Sequence, residues 1–188
     1  HRNAYMNAVG TLVHLPMNCA DRYLWTLPMF HANGWTFVWI VTAVGGAHVC
    51  LRKVDPAMAF GLIRDESVSM LCAAPTVLIG LATASPELRG EIPSGVRVLT
   101  AGAPPAAATI QRVEGEFGWD LTQVYGLTET APFITICEPR PEHNALTPEV
   151  RSVVKARQGV ELITSGELRV VDEEGEPVPR DGQTLGEI

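Results

Sequence analysis

The residues best suited to chemistry stand together in the stretch QVYGLTETAP. A carboxylate such as Glu129 can bind Mg²⁺, a hard cation that prefers oxygen ligands and usually shares them with substrate phosphates. The hydroxyl groups of Thr128 and Thr130 can donate hydrogen bonds to phosphate oxygens, and Gly126 lets the backbone come close to a ligand. Tyr125 offers a flat face to a purine. The stretch therefore indicates a nucleotide site; the alternative is a polar turn with a solvated Glu129.

These residues need a scaffold, and helical and strand-like patterns alternate along residues 1–139. Short apolar runs such as VSMLCAA are typical of strands that are covered on both faces. Helices between such strands predict βαβ units, and hence an α/β fold with a mainly parallel sheet flanked by helices. Ligands bind at the carboxyl ends of the strands in sheets of this kind. The loops TAGAPP and VYGLTET both follow predicted strands, so we expect them to lie near each other.

Several helix ends carry local signals. We expect a helix over residues 3–15 with Asn3 as its cap, and one long buried helix over residues 33–46 that ends at two glycines. Asp55 is the predicted N-cap of a further helix, because Pro56 follows it at a position where proline needs no hydrogen-bond partner.

The character of the chain changes after about Pro139. The segment EPRPEHNALTPE is rich in proline and charge, which is typical of a loop. The later segment GELRVVDEEGEPVPRDGQTLGEI predicts antiparallel strands with turns at DEEGEP and PRDG. We therefore divide the chain into an α/β subdomain over residues 1–139 and, over residues 140–188, a linker followed by the start of a small antiparallel β-rich, barrel-like subdomain.

Composition narrows the class of protein. The 188 residues are 46% hydrophobic and carry a net charge of −7, and an acidic chain of this kind is a poor partner for nucleic acids. The longest apolar run is too short and too interrupted to predict a transmembrane segment. No CxxC spacing occurs, so we expect buried, reduced thiols and a cytoplasmic protein. The cysteines are Cys19, Cys50, Cys72 and Cys137.

The stretch QVYGLTET resembles the signature of the AMP-forming acyl-CoA synthetases, the adenylate-forming family. Other segments resemble the family in the same order. LPMFHANGW resembles its segment beside the acyl pocket, APTV and VRVLTAGAPP resemble the segments between, and VVDEEGEPVPRDGQTLGEI resembles the entry to its small β-barrel. PMFHANGW is most similar to the fatty acyl-CoA synthetase branch. The resemblance covers nearly the whole chain and implies an internal part of the family's large N-terminal domain.

For the nucleoside end of the site, the resemblance implies five residues. Tyr125 would stack on the adenine of ATP, and Gly126 would let the backbone approach the nucleotide. The loop Gly102, Ala103 and Pro104 would line the adenine pocket through its backbone. Taken alone, Gly102 has a simpler alternative as a turn glycine.

For the reacting end, the resemblance implies Thr128, Glu129 and His31 as catalytic residues. Thr128 would contact the α-phosphate, Glu129 would coordinate Mg²⁺, and His31 would lie near the reacting carboxylate of the acid. Trp35 would gate the tunnel that takes the alkyl chain. The simpler alternatives are a helix-capping role for His31 and core packing for Trp35.

The reaction that the resemblance implies has two steps. A fatty acid carboxylate attacks the α-phosphorus of ATP to give acyl-AMP and pyrophosphate, and the thiolate of coenzyme A then displaces AMP. An aryl-CoA ligase would share the same site with a different acyl pocket. A non-catalytic module that keeps the fold for binding is an alternative of another class.

Parts of the family's pattern fall outside the chain. The phosphate loop with its lysine belongs before His1, and the Asp that binds the ribose and the C-terminal catalytic lysine belong after Ile188. Within the chain, Ala101 and Val124 stand where the family often has glycine. We therefore expect this chain to be a piece of a longer enzyme, inactive alone, that self-associates through surfaces the missing parts normally cover.

Overall fold

The computed structural model describes residues 1–188, and seven segments form the strands of one sheet. Most of them are short apolar runs, as the alternation of patterns predicts. The strands are β1 (Arg22–Trp25), β2 (Ala47–Cys50), β3 (Met70–Cys72), β4 (Arg97–Thr100), β5 (Asp120–Gly126), β6 (Phe133–Ile136) and β7 (Val160–Glu161).

The strand order is β2-β1-β3-β4-β5-β6-β7. The first five strands in this order pair in parallel, while β6 and β7 extend the sheet by antiparallel pairing. The prediction of an α/β fold with a mainly parallel sheet is confirmed. Because β2 and β3 lie on opposite sides of β1, the connections after β1 and β3 diverge at this point, which is where open parallel sheets form ligand clefts.

Helices cover both faces of the sheet. They are α1 (Arg2–His14), the single turn α2 (Ala32–Trp35), α3 (Phe37–Val44), α4 (Pro56–Asp65), α5 (Pro75–Thr83), α6 (Pro86–Arg89), α7 (Ala107–Phe117) and α8 (Pro148–Lys155). None of these helices is long and apolar enough to cross a membrane.

Alternate residues of the central strands β1, β3 and β4 contribute to two separate apolar cores. On β1, Leu24 joins the core beneath α4, α5 and α7, whereas Tyr23 joins the core beneath α1 and α3. Both side chains are fully buried. The alternation of side chains across a strand explains how one short apolar run serves two cores at once.

The predicted cap of α4 is confirmed, whereas that of α1 is wrong. The Asp55 carboxylate accepts a hydrogen bond from the backbone amide of Met58 at 3.1 Å, and Pro56 occupies the first helical position. In α1 the helix already begins at Arg2, so Asn3 lies inside the first turn and His1 takes the cap position.

The single long helix predicted over residues 33–46 is also wrong. Five consecutive residues, 32–36, have positive φ angles between 44° and 72°, so α2 is a left-handed turn and Thr36 is the boundary between it and α3. A left-handed turn costs free energy in L-amino acids, so it persists only where packing holds it. A Cβ at Gly34 would overlap the ring of Trp25, which shows how closely this turn packs onto β1. The predicted stop at Gly45 is confirmed, with a φ of 73°.

The segment after Pro139 contains more regular structure than the sequence predicts. The helix α8 begins at Pro148, within the last residues of the stretch that was expected to be a loop, and it packs on α7 through a buried Lys155 that pairs with Glu114. Beyond Leu168, Val171 forms antiparallel bridges to Pro177 and Glu187, as expected for a β-rich segment. The division of the chain after residue 139 stays a prediction, since α8 and β7 lie against the same sheet as the preceding elements.

All four cysteines are free, but only two of them are buried. Cys72 and Cys137 are inside the protein, whereas Cys19 and Cys50 are exposed. Cys50 was expected to be buried because it lies in an apolar run. It is exposed because β2 is an edge strand whose alternate residues face solvent.

Candidate functional site

A cleft of about 760 Å³ opens at the carboxyl ends of β4 and β5. Because the parallel strands end at the same edge of the sheet, the loops that follow them converge there. The sequence predicted this convergence for the loops TAGAPP and VYGLTET, and residues of both line the cleft. Of the predicted site residues, those in its wall are His31, Gly102, Ala103, Pro104, Tyr125, Gly126, Thr128 and Glu129.

The end of β5 is shaped by a shift of register between Tyr125 and Gly126. Such an irregularity re-aims side chains at the edge of a sheet. A Cβ at Gly126 would overlap the carbonyl oxygen of Pro132, so this glycine is required by the close approach of the chain's own backbone. From the sequence, only the approach of a ligand was expected to require a glycine here.

The turn after β5 presents Thr128 and Glu129 to solvent. It is a single 3₁₀ turn, Thr128–Thr130, and its geometry is held from within. The hydroxyl oxygen of Thr130 accepts a hydrogen bond from the amide of Leu127 at 2.7 Å and donates to backbone carbonyl oxygens. Thr130 is therefore occupied in building the turn, whereas the sequence had suggested it as a phosphate donor.

The opposite wall of the cleft follows β4. Gly102 has a φ of 91°, a left-handed conformation that favours glycine, and no atom lies within 4 Å of the position of a Cβ. Gly102, Ala103 and Pro104 are all exposed. This loop therefore presents backbone rather than long side chains to the cleft.

The third contribution comes from the chain after β1. His31 is exposed and precedes the left-handed turn of residues 32–36. Trp35, at the other end of that turn, is 6% exposed and lies in the core with its ring 6.0 Å from that of Phe133 in an edge-to-face contact. Trp35 does not line the cleft. Its gating role stays a prediction.

Glu129 is a solitary carboxylate. No group of three or more His, Cys, Asp or Glu side chains stands together as a metal site anywhere in residues 1–188. Mg²⁺ keeps several waters and is usually held by one or two carboxylates together with substrate phosphates. An exposed single carboxylate beside the hydroxyl of Thr128 is a donor set that fits this mode of binding, and it does not fit a cage made by protein alone.

Sequence reasoning missed two amides in the wall of the cleft. The Nε2 atom of Gln123 donates to the carbonyl oxygen of Val124 at 3.0 Å and to Oε1 of Gln158 at 3.2 Å. The Oε1 atom of Gln123 is buried without a partner. Gln123 stands within the stretch QVYGLTET, so its place beside the site could have been predicted from the sequence. No local pattern in the sequence marks Gln158 as a site residue. Apolar residues complete this wall: Leu168, Val170 and Ile188.

Similarity to known proteins agrees with this arrangement. A 4-hydroxybutyrate–CoA ligase of Metallosphaera sedula is 44% identical over 188 residues, which are all of this chain and 34% of that protein. A 2-methylpropanoate–CoA ligase of Humulus lupulus is 40% identical over 189 residues, with 100% of this chain and 34% of that protein covered. A peroxisomal trans-cinnamate:CoA ligase of Petunia hybrida is 37% identical over 189 residues, with 100% and 33% covered. The chain thus spans about a third of the length of these relatives.

Solved structures show the same fold. The N-terminal domain of FACL13 from Mycobacterium tuberculosis superimposes with a TM-score of 0.77 at 23% identity, covering 95% of this chain and 43% of that one. The o-succinylbenzoate CoA synthetase of Bacillus subtilis, in complex with ATP and magnesium ion, gives a TM-score of 0.75 at 23% identity, covering 94% and 34%. The profile of the AMP-binding enzyme family matches residues 1–188. The cleft, the relatives and this match over the whole chain lead to one conclusion: the chain belongs to the AMP-binding enzyme family.

Proposed function

We propose that the full-length protein containing this chain is an AMP-forming acid–CoA ligase, with ATP, a carboxylic acid and coenzyme A as its substrates. The observation that carries the proposal is the single cleft of about 760 Å³ in which His31, the loop after β4 and the turn after β5 meet. These three parts lie far apart in sequence, and only the sheet brings them together.

The phosphate end of the proposed site is the turn after β5. Attack of a carboxylate on the α-phosphorus of ATP builds negative charge on the phosphoryl oxygens, and fixed donors aimed at that charge supply most of the catalysis. The exposed hydroxyl of Thr128 is free of the hydrogen bonds that occupy Thr130 and would donate to the α-phosphate. Glu129 would ligate Mg²⁺, which, when bound, supplies positive charge to the phosphate oxygens.

The nucleoside end lies between the two walls. Tyr125 is half-buried at the end of β5, where its ring would stack on adenine. The loop from Gly102 to Pro104 faces it with backbone atoms, which suits a flat base. His31, on the chain after β1, would lie near the carboxylate of the acid. Each of these roles is an inference from the family's pattern and from the position of the residue in the cleft wall.

The acid is proposed to be aliphatic. PMFHANGW resembles the fatty acyl-CoA synthetase branch, and two of the relatives are named for 4-hydroxybutyrate and 2-methylpropanoate, which are short aliphatic acids. A fatty acid at the short end of the range agrees with both observations. An aromatic acid is the second candidate, because another relative is named for trans-cinnamate.

The test is an acid panel with the full-length protein, ATP, Mg²⁺ and coenzyme A. The panel contains straight-chain fatty acids of increasing length, 2-methylpropanoate, 4-hydroxybutyrate and trans-cinnamate. We expect release of pyrophosphate and AMP, with loss of one thiol for each AMP, only when an aliphatic acid is present. The fastest turnover with trans-cinnamate would favour the aromatic candidate.

Two outcomes of the same panel concern the proposal as a whole. Absence of acid-dependent pyrophosphate release from a folded protein that binds nucleotide would favour a non-catalytic module. The assay on the 188-residue chain alone tests the expectation that this chain forms no acyl adenylate without the rest of the enzyme.

A further inference from the structure

The two turns that carry the proposed catalytic residues are not neighbours in the sheet. The turn with His31 follows β1, and the turn with Glu129 follows β5, with β3 and β4 between them. Three strand spacings of roughly 4.8 Å place the ends of β1 and β5 on the order of 14 Å apart. The sheet therefore does not by itself fix one turn against the other once each has left its strand.

A side chain of α1 forms hydrogen bonds with both of the segments that carry these turns. The Nδ2 atom of Asn7 donates to the carbonyl oxygen of Phe133 at 2.7 Å, and its Oδ1 atom accepts from the hydroxyl of Thr36 at 3.0 Å. Thr36 is the last residue of the left-handed turn that begins after His31. Phe133 is the first residue of β6 and follows the turn that carries Glu129 after two intervening residues. One amide thus holds both site-bearing segments.

The bridge is buried and has little freedom. Asn7 is 7% exposed and Thr36 is 2% exposed, so neither polar group can exchange its partner for water. A buried polar group that loses its partner costs free energy, and this cost favours the paired arrangement. The edge-to-face contact of Trp35 with Phe133 joins the same two segments beside the amide. The left-handed turn, which is unfavourable by itself, is held from both sides.

We infer that Asn7 is a positioning residue that sets the arrangement of the His31 turn relative to the Glu129 turn. The inference rests on the proposed function, since it assigns the acid to one turn and the phosphate and metal to the other. In-line attack requires the two reactants to meet within a narrow range of distance and angle, and a displacement of the order of 1 Å can cost about a hundredfold in rate. Asn7 itself touches neither reactant in this scheme.

The test removes the bridge from its hydroxyl end. Thr36→Val keeps the size and β-branched shape of the side chain, so its strain in the left-handed conformation is matched, but the hydrogen bond to Asn7 is lost. Thr36→Ser keeps the hydroxyl and should restore it. Asn7→Ala removes both hydrogen bonds. Thr11→Val is the control, because Thr11 is a buried polar residue of the same helix whose hydroxyl has no partner.

In the full-length protein, acid-dependent pyrophosphate release is measured as kcat and as KM for ATP. We expect Thr36→Val and Asn7→Ala to lower kcat about tenfold to a hundredfold, with KM for ATP within about twofold of the wild type. The nucleoside would bind to the loop after β4 and to Tyr125, which Asn7 does not contact. Thr36→Ser and Thr11→Val should keep the wild-type kcat. The double variant Asn7→Ala/Thr36→Val should be no slower than the slower single variant, because both changes break one bridge.

A second readout does not depend on activity. In the full-length protein, Thr36→Val should speed backbone amide exchange of residues 128–131 and of Phe133 relative to the wild type, while Thr11→Val should not. Unchanged exchange there, together with unchanged kcat in Thr36→Val, would overturn the inference. A wild-type protein without ligase activity would overturn the proposed function instead, and the exchange result would still decide whether the bridge couples the two turns.

Discussion

His31 and Trp35 stand in the same short segment, FHANGW, yet the structure places them in opposite environments. His31 is exposed at the cleft, whereas Trp35 is buried against Phe133. The left-handed turn of residues 32–36 begins directly after His31 and contains Trp35. The resemblance to the family implied that both are site residues. The exposed side chain of His31 can meet a substrate, whereas the buried ring of Trp35 packs behind the wall of the cleft.

Trp35 gives a prediction on stability. Trp35→Ala should lower the free energy of unfolding by about 3–5 kcal/mol, because truncating a buried aromatic side chain leaves a cavity. Trp35→Phe should cost less, since a ring still fills the site. Urea unfolding of the 188-residue chain measures both. A cost below about 1 kcal/mol for Trp35→Ala would show that the ring is not core, and an altered preference among acid lengths in the full-length variant would support the gate.

Gly126 gives a second prediction, with Gly115 as its matched partner. Gly126→Ala should destabilise the protein, because the new Cβ would overlap the carbonyl oxygen of Pro132. Gly115→Ala should stabilise it by about 0.5–1 kcal/mol, because Gly115 lies inside α7 with open space around it. Thermal unfolding of the two variants beside the wild type should give shifts of opposite sign. Equal shifts would contradict the close approach of β5 and β6.

At the scale of the element, the start of α4 was predictable and the break before α3 was not. Asp55 and Pro56 act on the backbone next to them, so the sequence carries the whole signal. The left-handed turn depends on contacts with Trp25 of the preceding strand and with Phe133, which is distant in sequence, and a local pattern of apolar residues cannot show such contacts. The helix α8 has a local start signal in the sequence, yet it was not predicted. Thr147 caps it and a proline follows, but the charge around this signal favoured a loop.

A cluster of polar side chains lies at the amino end of β1, and it predicts that the stability of the fold depends on pH. Asp21 precedes β1, and its carboxylate accepts hydrogen bonds from the Ser69 hydroxyl at 2.7 Å, the Asn18 amide at 2.8 Å and Arg97 at 2.5 Å. Burial by itself raises the pKa of Asp21, but these hydrogen bonds and the charge of Arg97 together hold the pKa below its usual value. The ionised form is therefore favoured by folding.

Because the pKa of Asp21 is lower in the folded than in the unfolded protein, the ionised carboxylate stabilises the fold at pH values above the unfolded pKa of about 3.9. This stabilisation is lost as the pH falls through the pKa that Asp21 has in the folded protein. At pH 7, Asp21→Asn should cost about 1.5–3 kcal/mol of unfolding free energy. The difference between wild type and variant should shrink as the pH falls below about 4. Urea titrations from pH 7 to pH 3 measure it, and a difference independent of pH would contradict the assignment.

At the scale of the whole molecule, one helix face is notable for its exposure. Tyr5, Val9 and Val13 follow each other at intervals of four residues along α1 and are 69%, 37% and 56% exposed. Trp39, on the adjacent α3, is 47% exposed. Residues four apart share one face of a helix, so Tyr5, Val9 and Val13 form an apolar stripe of the kind that recruits another protein surface.

This surface leads to a prediction for the 188-residue chain. Its apparent mass in light scattering should rise with concentration, and Val13→Lys should weaken that rise. Val153→Lys on α8 is the matched control, because Val153 is 57% exposed but lies on a different helix. We expect the control to associate as the wild type does. A wild-type chain that stays monomeric over the whole series would contradict the prediction.

We propose that the acid is adenylated in the cleft at the carboxyl ends of β4 and β5, and a change at Glu129 addresses this proposal at its metal site. Glu129 is exposed, so replacing it should leave the fold intact. In the full-length protein, Glu129→Gln keeps the shape of the side chain but weakens Mg²⁺ binding, and it should lose most acid-dependent exchange of pyrophosphate into ATP. Glu167→Gln, an exposed glutamate outside the cleft wall, should exchange at the wild-type rate. A wild-type rate of exchange in Glu129→Gln would show that this cleft does not hold the Mg²⁺ needed for adenylation.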